Sequence, residues 1–316
     1  MNSYLVLSDS SSLPHVEGID NYFIYKKCGY LMRAIRYLHH KTGLFKRFKT
    51  LWLNDWKTNV NNYSAILIFD SILDYTPLDF IRAKNGTIRI VFCFRNRVKE
   101  RIHHSVCDRN PEALVNNYKC ELWSYNQEDC DFFHMKKYNQ FFLINPLTLK
   151  KKDEIQYDVY FIGSDKGRIG TIVDLKHIMD EQSITYKLEV VPDRGVRYSK
   201  EEESLLSKKK PYSKVLEELS YSKCVLDVVA NINYGLTYRG LEALLYKKKL
   251  ITNYTDIVKE PFYNKDNVFV LDVDRIENLS TFINSPFNNG SLDCLKEYSY
   301  SFFCKQIFGL VNETND

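Results

Sequence analysis

Residues 160–168 read Tyr-Phe-Ile-Gly-Ser-Asp-Lys-Gly-Arg, an apolar run that passes through two glycines into a basic residue. The apolar part, Val159–Ile162, is short and stops at Gly163, which predicts a buried strand ending in a tight turn. The next segment, Arg168–Asp180, carries apolar residues at the spacing of one helix face. A strand that turns directly into a helix is the unit from which parallel α/β sheets are built.

The same alternation of short apolar runs and amphipathic segments extends along the chain. The predicted strands are Tyr4–Leu7, Ala65–Phe69, Ile88–Phe94, Cys120–Tyr125, Val159–Ile162, Leu188–Val191, Val225–Val229, Leu250–Thr252 and Val268–Leu271. Helices are predicted at Tyr22–Leu38, from Pro211, at Thr237–Tyr246 and from Ser291. The fold class that follows is α/β, with two tandem Rossmann-like doubly wound domains and a cleft between them.

A chain of 316 residues exceeds the size at which one core usually stops growing, so two domains are expected. The alternation breaks near residues 138–152, where Asn-Pro and a Lys-Lys-Lys-Asp run occur. We therefore predict an N-terminal domain over residues 1–150 and a second domain over 151–290. A C-terminal helix within 291–316 is expected to pack back toward the first domain.

Charge divides unevenly between these halves. Residues 1–150 carry 21 Lys and Arg against 14 Asp and Glu, whereas residues 151–316 carry 23 against 26. The near-balanced total of +4 and the lack of an RNA-binding motif argue against a nucleic-acid partner. The asymmetry instead indicates that the two halves face different surroundings.

We expect no secretion signal and no membrane span, since the longest unbroken apolar runs, such as Ala65–Phe69, have only five residues. Its eight cysteines include no C-x-x-C pair, and the paired histidines lack the ligand spacing of a zinc site. We therefore expect a cytoplasmic protein with reduced cysteines and no metal.

Two segments of the second half carry residues suited to anion binding. Around Gly163 the turn holds Ser164, Lys166 and Arg168, although taken alone its glycines are better explained by a purely structural strand-to-helix turn. The spacing matches neither the dinucleotide fingerprint nor the P-loop.

The second of these segments, residues 233–246, offers Gly235, Thr237, Arg239 and Glu242 at a predicted helix start. Thr237 is a good N-cap, and a helix N-terminus attracts phosphate. The alternative for Arg239 and Glu242 is a simple salt bridge on the helix surface.

The segments 157–167, 211–212, 222–227 and 235–253 together resemble the donor domain of GT-B-fold glycosyltransferases. They are most similar to bacterial capsule, exopolysaccharide and lipopolysaccharide biosynthesis proteins, in which a strand ending in Asp precedes Gly-Leu-Thr-x-Arg-x-x-Glu-Ala-Leu. That pattern stands here at residues 235–244. The resemblance covers about residues 157–270 and extends only faintly into the first half.

The resemblance implies a nucleotide-sugar donor held by the second domain and a saccharide acceptor, lipid-linked in this group, offered by the first. Glu242 would bind the ribose or the sugar, and Thr237 and Arg239 would lie near the diphosphate. Gly163 and Lys166 would belong to the glycine loop, and Ser164, Arg168 and Gly235 would complete the donor site. No metal or other cofactor is implied.

Retaining members of the wider fold often carry a second glutamate where this chain has Tyr234. The absence of that glutamate favours a reaction that inverts the anomeric configuration. An inverting transferase needs a general base near the acceptor hydroxyl. Asp9, His15, Asp70 and Asp74 follow first-half strands and are the candidates, of which Asp9 is favoured and one at most is expected to act. Each also has an ordinary interpretation as a loop, cap or surface residue.

Residues 22–50 contain eight Lys and Arg, no Asp or Glu, and many apolar side chains. Such a segment can lie on an anionic membrane surface, and a solvated helix face around a core stripe is the alternative.

Two other functions stay open. A GT-A transferase would use an Asp-x-Asp metal site, and the sequence has two such triplets, at 129–131 and 272–274. A non-catalytic nucleotide- or partner-binding module of the same fold is the other alternative.

Overall fold

The computed structural model describes residues 3–9, 13–42, 46–98, 109–142, 154–230, 235–290 and 292–310. The chain divides into two compact units, one comprising Met1–Asn139 and Tyr300–Asp316 and the other Gln140–Ser299. Each unit contains one sheet, and all pairings between its described strands are parallel. The architecture is therefore mixed α/β with two parallel sheets.

The first unit alternates strands and helices in the way the apolar pattern predicts. Its elements are β1 (Tyr4–Ser8), β2 (Ile19–Phe23), α1 (Tyr30–Thr42), β3 (Ala65–Phe69), α2 (Thr76–Lys84), β4 (Arg89–Phe94), α3 (Pro111–Tyr118), β5 (Cys120–Ser124), α4 (Gln127–Phe133) and β6 (Lys136–Lys137). The sheet order is β2-β1-β3-β4-β5-β6. β1 and β3 are buried at every position because their sheet is covered on both faces, which explains their unbroken apolar sequences.

The last helix of the described chain, α10 (Tyr300–Phe308), belongs to the first unit. Phe303 stacks on Phe69 at 5.9 Å between ring centroids, and Phe308 stacks on Tyr4 at 4.5 Å. Tyr300 donates a 2.6 Å hydrogen bond to the side-chain oxygen of Asn21. These contacts fix α10 against strands near the N-terminus.

The second unit repeats the alternation. Its elements are β7 (Tyr157–Ser164), α5 (Ile169–Glu181), β8 (Tyr186–Val191), α6 (Lys200–Glu203), α7 (Tyr212–Ser220), β9 (Ser222–Asp227), α8 (Tyr238–Leu245), β10 (Lys249–Thr252), β11 (Val268–Val270) and α9 (Leu279–Asn284). The sheet order is β11-β10-β9-β7-β8. The predicted helix 168–180 is confirmed, because α5 begins and ends one residue later than predicted. Its buried face includes Ile172, Leu175 and Met179.

The strand orders locate a switch point in each sheet. In the first unit the chain leaves β1 for β2 on one side and then returns to β3 on the other. In the second unit it leaves β7 for β8 and then returns to β9. Ligands of open α/β sheets bind where the strand order reverses, at the carboxyl ends of the strands. Ligand sites are therefore expected at the carboxyl ends of β1 and β3 and of β7 and β9.

The helix predicted over Tyr22–Leu38 is wrong at its start. Residues 19–23 form β2, which pairs in parallel with β1, and the helix begins only at Tyr30. Gly18, with φ of 76°, lets the chain turn into this strand. Pairing with β1 gives these backbone groups sheet partners, a tertiary gain that local periodicity does not reveal.

The longest helices in the described ranges, α1 and α5, have 13 residues each. Within those ranges no helix has both the length and the apolar character needed to cross a membrane.

We expect Leu67→Ala in β3 to lower the free energy of unfolding by about 2–5 kcal/mol, because the side chain is fully buried and its removal leaves a cavity. Leu51→Ala is the matched control in the same unit, since Leu51 is 62% exposed. Urea denaturation of both variants measures the difference. Equal midpoints would contradict the described core.

Candidate functional site

The second unit's switch point is organised by the carboxylate of Asp227, the last residue of β9. Asp227 is buried and accepts a 2.7 Å hydrogen bond from Nη1 of Arg239 and a 2.5 Å bond from Oγ1 of Thr237. Thr252 at the end of β10 donates to the Asp227 carbonyl oxygen at 2.9 Å. One acidic residue thus joins the ends of two strands to the start of α8.

Thr237 also caps α8, because its Oγ1 accepts the backbone N–H of Gly240 at 3.3 Å. Gly235 precedes it with φ of 71°, a conformation that favours glycine. The N-cap prediction is confirmed. Tyr234, on which the inverting assignment rests, lies outside the described residues.

Two guanidinium groups converge on Gly163, near the end of β7. Nη2 of Arg239 donates to the Ile162 carbonyl oxygen at 2.6 Å, and Nη2 of Arg168 donates to the Ser164 carbonyl oxygen at 2.9 Å. A Cβ at position 163 would stand 2.7 Å from Nη2 of Arg168 and 2.9 Å from Nη2 of Arg239. A side chain at this position would therefore force both guanidinium groups to shift.

The two cations are electrostatically unequal. Arg239 forms an ion pair with Asp227, whereas Arg168 hydrogen-bonds the backbone carbonyl oxygens of Ser164 and Val228. Burial, and next the positive charge of Arg239, lower the pKa of Arg168 to about 10. A bound anion would relieve the repulsion between the guanidinium groups. The site is therefore suited to a phosphate or diphosphate.

Lys166 occupies the turn between β7 and α5 in the left-handed region, with φ of 50°. Its backbone N–H donates to the Asp193 carboxylate at 2.8 Å, and its side chain is exposed. Asp165 beside it is buried and accepts the backbone N–H of Ile169 at 2.9 Å. The turn is thus held by carboxylates while the Lys166 side chain is exposed to solvent.

Glu242 has a different partner from Thr237 and Arg239, which both bind Asp227. It lies half-buried on α8 and accepts a hydrogen bond from the hydroxyl of Tyr212, at the start of α7. Burial raises its pKa to about 8. Arg239 pairs with Asp227 instead, so the surface salt bridge between Arg239 and Glu242 considered above is not formed.

In the first unit, Arg95 joins two of the predicted candidate bases at the switch point. Its Nη2 donates to Asp9 at 2.7 Å, and its Nε lies 3.5 Å from the carboxylate of Asp70. Asp70 is buried and also accepts from Asn96 at 3.3 Å, whereas the Asp9 side chain is 60% exposed. His15 is exposed, and no hydrogen bond joins it to either carboxylate within the described chain.

Sequence reasoning gave no role to three residues that organise these sites. Asp227 anchors Arg239. Arg95 anchors the carboxylates of Asp9 and Asp70, and Tyr212 anchors Glu242. Asp227 and Arg95 stand at the carboxyl ends of parallel strands, where polar residues after an apolar run signal a site edge. That signal was available from the sequence; no local pattern distinguishes Tyr212.

The Asp-x-Asp triplets bind backbone groups. Asp129 accepts the backbone N–H of Val98 at 2.8 Å, and Asp274 accepts that of Val270 at 2.7 Å. Across the described ranges, no three His, Cys, Asp or Glu side chains are grouped to hold a metal ion. Cys224 is a buried free thiol, and burial raises its pKa to about 12.

Comparison with protein-family models and with the sequences of curated proteins gives no match to this chain.

Gly163→Ala is expected to lower the free energy of unfolding by about 1–3 kcal/mol, because the new methyl group displaces guanidiniums held by carbonyl oxygens. Gly170→Ala is the control, since a Cβ there meets open space within α5. Thermal unfolding of both variants measures the effect. A Gly163→Ala protein as stable as the wild type would show that the guanidiniums are not held as described.

Glu242→Gln is expected to stabilise the protein at pH 8–9 and to change little near pH 4.5. The raised pKa means that folding favours the protonated carboxyl group, so wild-type stability falls as pH rises from about 4.5 through about 8. Glutamine mimics the neutral acid and removes this loss. Urea denaturation across that pH range measures it, with Glu203→Gln on an exposed site as control. Parallel pH profiles for all three proteins would contradict the burial of Glu242.

Proposed function

We propose that the protein is a metal-independent glycosyltransferase of the GT-B type. It transfers a sugar from a nucleotide-sugar donor, bound by the second unit, to a saccharide acceptor bound by the first. The acceptor class, a lipid-linked saccharide in cytoplasmic assembly of bacterial surface polysaccharide, follows the resemblance of residues 157–270.

The observation that supports this function best is the convergence of Arg168 and Arg239 on Gly163. Two like charges are held together at a strand-order reversal, next to the N-terminus of α8. That combination suits a diphosphate, because guanidinium groups and free helix N–H groups both bind phosphate oxygens. Lys166, exposed on the adjoining turn, adds a cation for the same group.

The chemistry follows from this placement. The acceptor hydroxyl oxygen forms a bond to the anomeric carbon while the bond between that carbon and the phosphate oxygen breaks. The bonding electron pair leaves with the nucleotide, whose developing charge Arg168, Arg239 and Lys166 stabilise. A single displacement of this kind inverts the anomeric configuration.

The hydroxyl proton requires a base, and Asp9 fits that role better than Asp70 or His15. Its carboxylate pairs with Arg95 and is exposed at a switch point, whereas Asp70 is buried and accepts from both Arg95 and Asn96. We assign Asp70 to positioning Arg95, which in turn orients Asp9.

Glu242 and Tyr212 would bind ribose or sugar hydroxyls. With a pKa of about 8, the carboxyl group of Glu242 is largely neutral at pH 7. It can then both donate and accept a hydrogen bond, which matches a hydroxyl group. A nonspecific phosphate site would not need this second group.

Binding is tested by thermal shift against UDP-, GDP-, dTDP- and CMP-sugars. We expect one donor class to stabilise the protein, by about 2.7 kcal/mol at a hundred times its dissociation constant. Arg168→Ala should weaken binding at least tenfold, since a charged hydrogen bond to the ligand is lost while Asp227 keeps its partner Arg239. Arg275→Ala, at an exposed site of the same unit, is the control. No stabilisation by any nucleotide-sugar would contradict the donor site.

Turnover is measured as release of the nucleotide in the presence of saccharide acceptors, with and without EDTA. Asp9→Asn should slow turnover by about 10²–10⁴-fold without changing the donor's thermal shift. Asp55→Asn, also exposed in the first unit, should not. Donor binding without turnover on any acceptor would indicate a binding module, and strict Mn²⁺ dependence would contradict the metal-independent mechanism.

A further inference from the structure

Helix α1 packs against its unit with its polar face. Nη1 of Arg36 donates to the Lys26 carbonyl oxygen at 2.9 Å, and the indole N–H of Trp52 donates to Nδ1 of His39 at 2.8 Å. His40 is the buried residue of the helix, and its Nδ1 lies 2.9 Å from the Asp74 carboxylate. The contacts that hold α1 are therefore largely polar.

The opposite face of α1 is apolar and exposed. Leu31, Ile35 and Leu38 are spaced four and three residues apart, so they form one stripe along the helix. Their exposed fractions are 72%, 43% and 56%. A helix that followed the usual amphipathic rule would bury such a stripe. We call these three residues the outward stripe, because they face solvent where a core-facing helix would bury them.

Further large apolar side chains are exposed on this helix and on the 3-10 helix Lys46–Trp52 that follows it. They are Tyr30, Met32, Tyr37, Phe48 and Leu51, with exposures between 40% and 83%. A large exposed apolar surface of this kind indicates an interaction site, because monomeric soluble proteins rarely leave such surfaces uncovered.

The positive charge of residues 22–50 indicates which kind of partner binds there. Residues 22–50 contain eight Lys and Arg and no acidic residue, and Lys26, Lys27, Arg33 and Lys41 are exposed. A second copy of this chain would bring an equally basic segment against the first, so like charges would oppose pairing. An anionic bilayer offers both acyl chains for the stripe and negative headgroups for the cations.

We propose that α1 docks the protein on an anionic lipid bilayer, lying in the plane of the interface with its outward stripe inserted. Thirteen residues are too few to cross the hydrocarbon core, so the helix binds at the surface. The polar contacts on its inner face keep it attached to the first unit while the stripe meets lipid. This inference is independent of what the second unit binds.

Vesicle sedimentation with the full chain tests the proposal, using phosphatidylcholine alone or with 30% phosphatidylglycerol. Wild-type protein is expected to sediment with the anionic vesicles at 50 mM NaCl and to be released at 500 mM, because salt screens the headgroup attraction. The triple variant Leu31→Gln, Ile35→Gln, Leu38→Gln should bind at least tenfold more weakly. Its unfolding curve should match the wild type, since the replaced side chains are exposed.

The matched control replaces three exposed valines of the second unit, as Val196→Gln, Val258→Gln, Val273→Gln. This variant should bind vesicles like the wild type. Insertion is measured separately with Leu31→Trp, whose added fluorescence should shift to the blue and be quenched by brominated acyl chains.

Three results would overturn the proposal. These are no binding to anionic vesicles at low salt, full binding by the outward-stripe variant, or an unquenched tryptophan at position 31. Concentration-dependent dimerisation without vesicle binding would likewise overturn it and assign the stripe to self-association. All of these readouts are unaffected if no nucleotide-sugar binds.

Discussion

The second unit depends on one buried negative charge. Asp227 accepts hydrogen bonds from Thr237 and Arg239 through its side chain and from Thr252 through its carbonyl oxygen. A buried carboxylate without partners would be very costly, so these donors must be in place for the unit to fold. The same bonds orient Arg239 toward Gly163 and fix the start of α8. The hydrogen bonds that satisfy the buried Asp227 carboxylate therefore also hold the Arg239 guanidinium in place beside Gly163.

A corresponding arrangement occurs in the first unit with the signs exchanged. Arg95 follows β4 and is shared by Asp9 and Asp70, which follow β1 and β3. In both units, charged side chains gather where parallel strands end and the strand order reverses. Ligands of open α/β sheets bind at this edge, which makes both clusters candidate sites. The net positive charge of the first half comes largely from another place, the acid-free segment around α1.

Much of the fold could be predicted because buried parallel strands carry a strong signal. Ala65–Phe69 appears in the structure with the predicted bounds, and α5 within one residue at either end. β2 could not be predicted, since its last two residues fall in the predicted helix and the segment becomes a strand only by pairing with β1. In the candidate site, Thr237 as the cap of α8 was readable from its position, whereas the partner of Arg239 was not.

The sequence by itself determined the alternation of strands and helices, the basic character of residues 22–50 and the glycine turn after β7, because these depend on periodicity, composition and local backbone preference. Tertiary structure decided which charges meet. It paired Arg239 with Asp227 rather than Glu242, placed Glu242 against Tyr212, and turned the apolar stripe of α1 outward. Such pairings join residues distant in the chain, and their energies depend on burial that only the assembled fold creates.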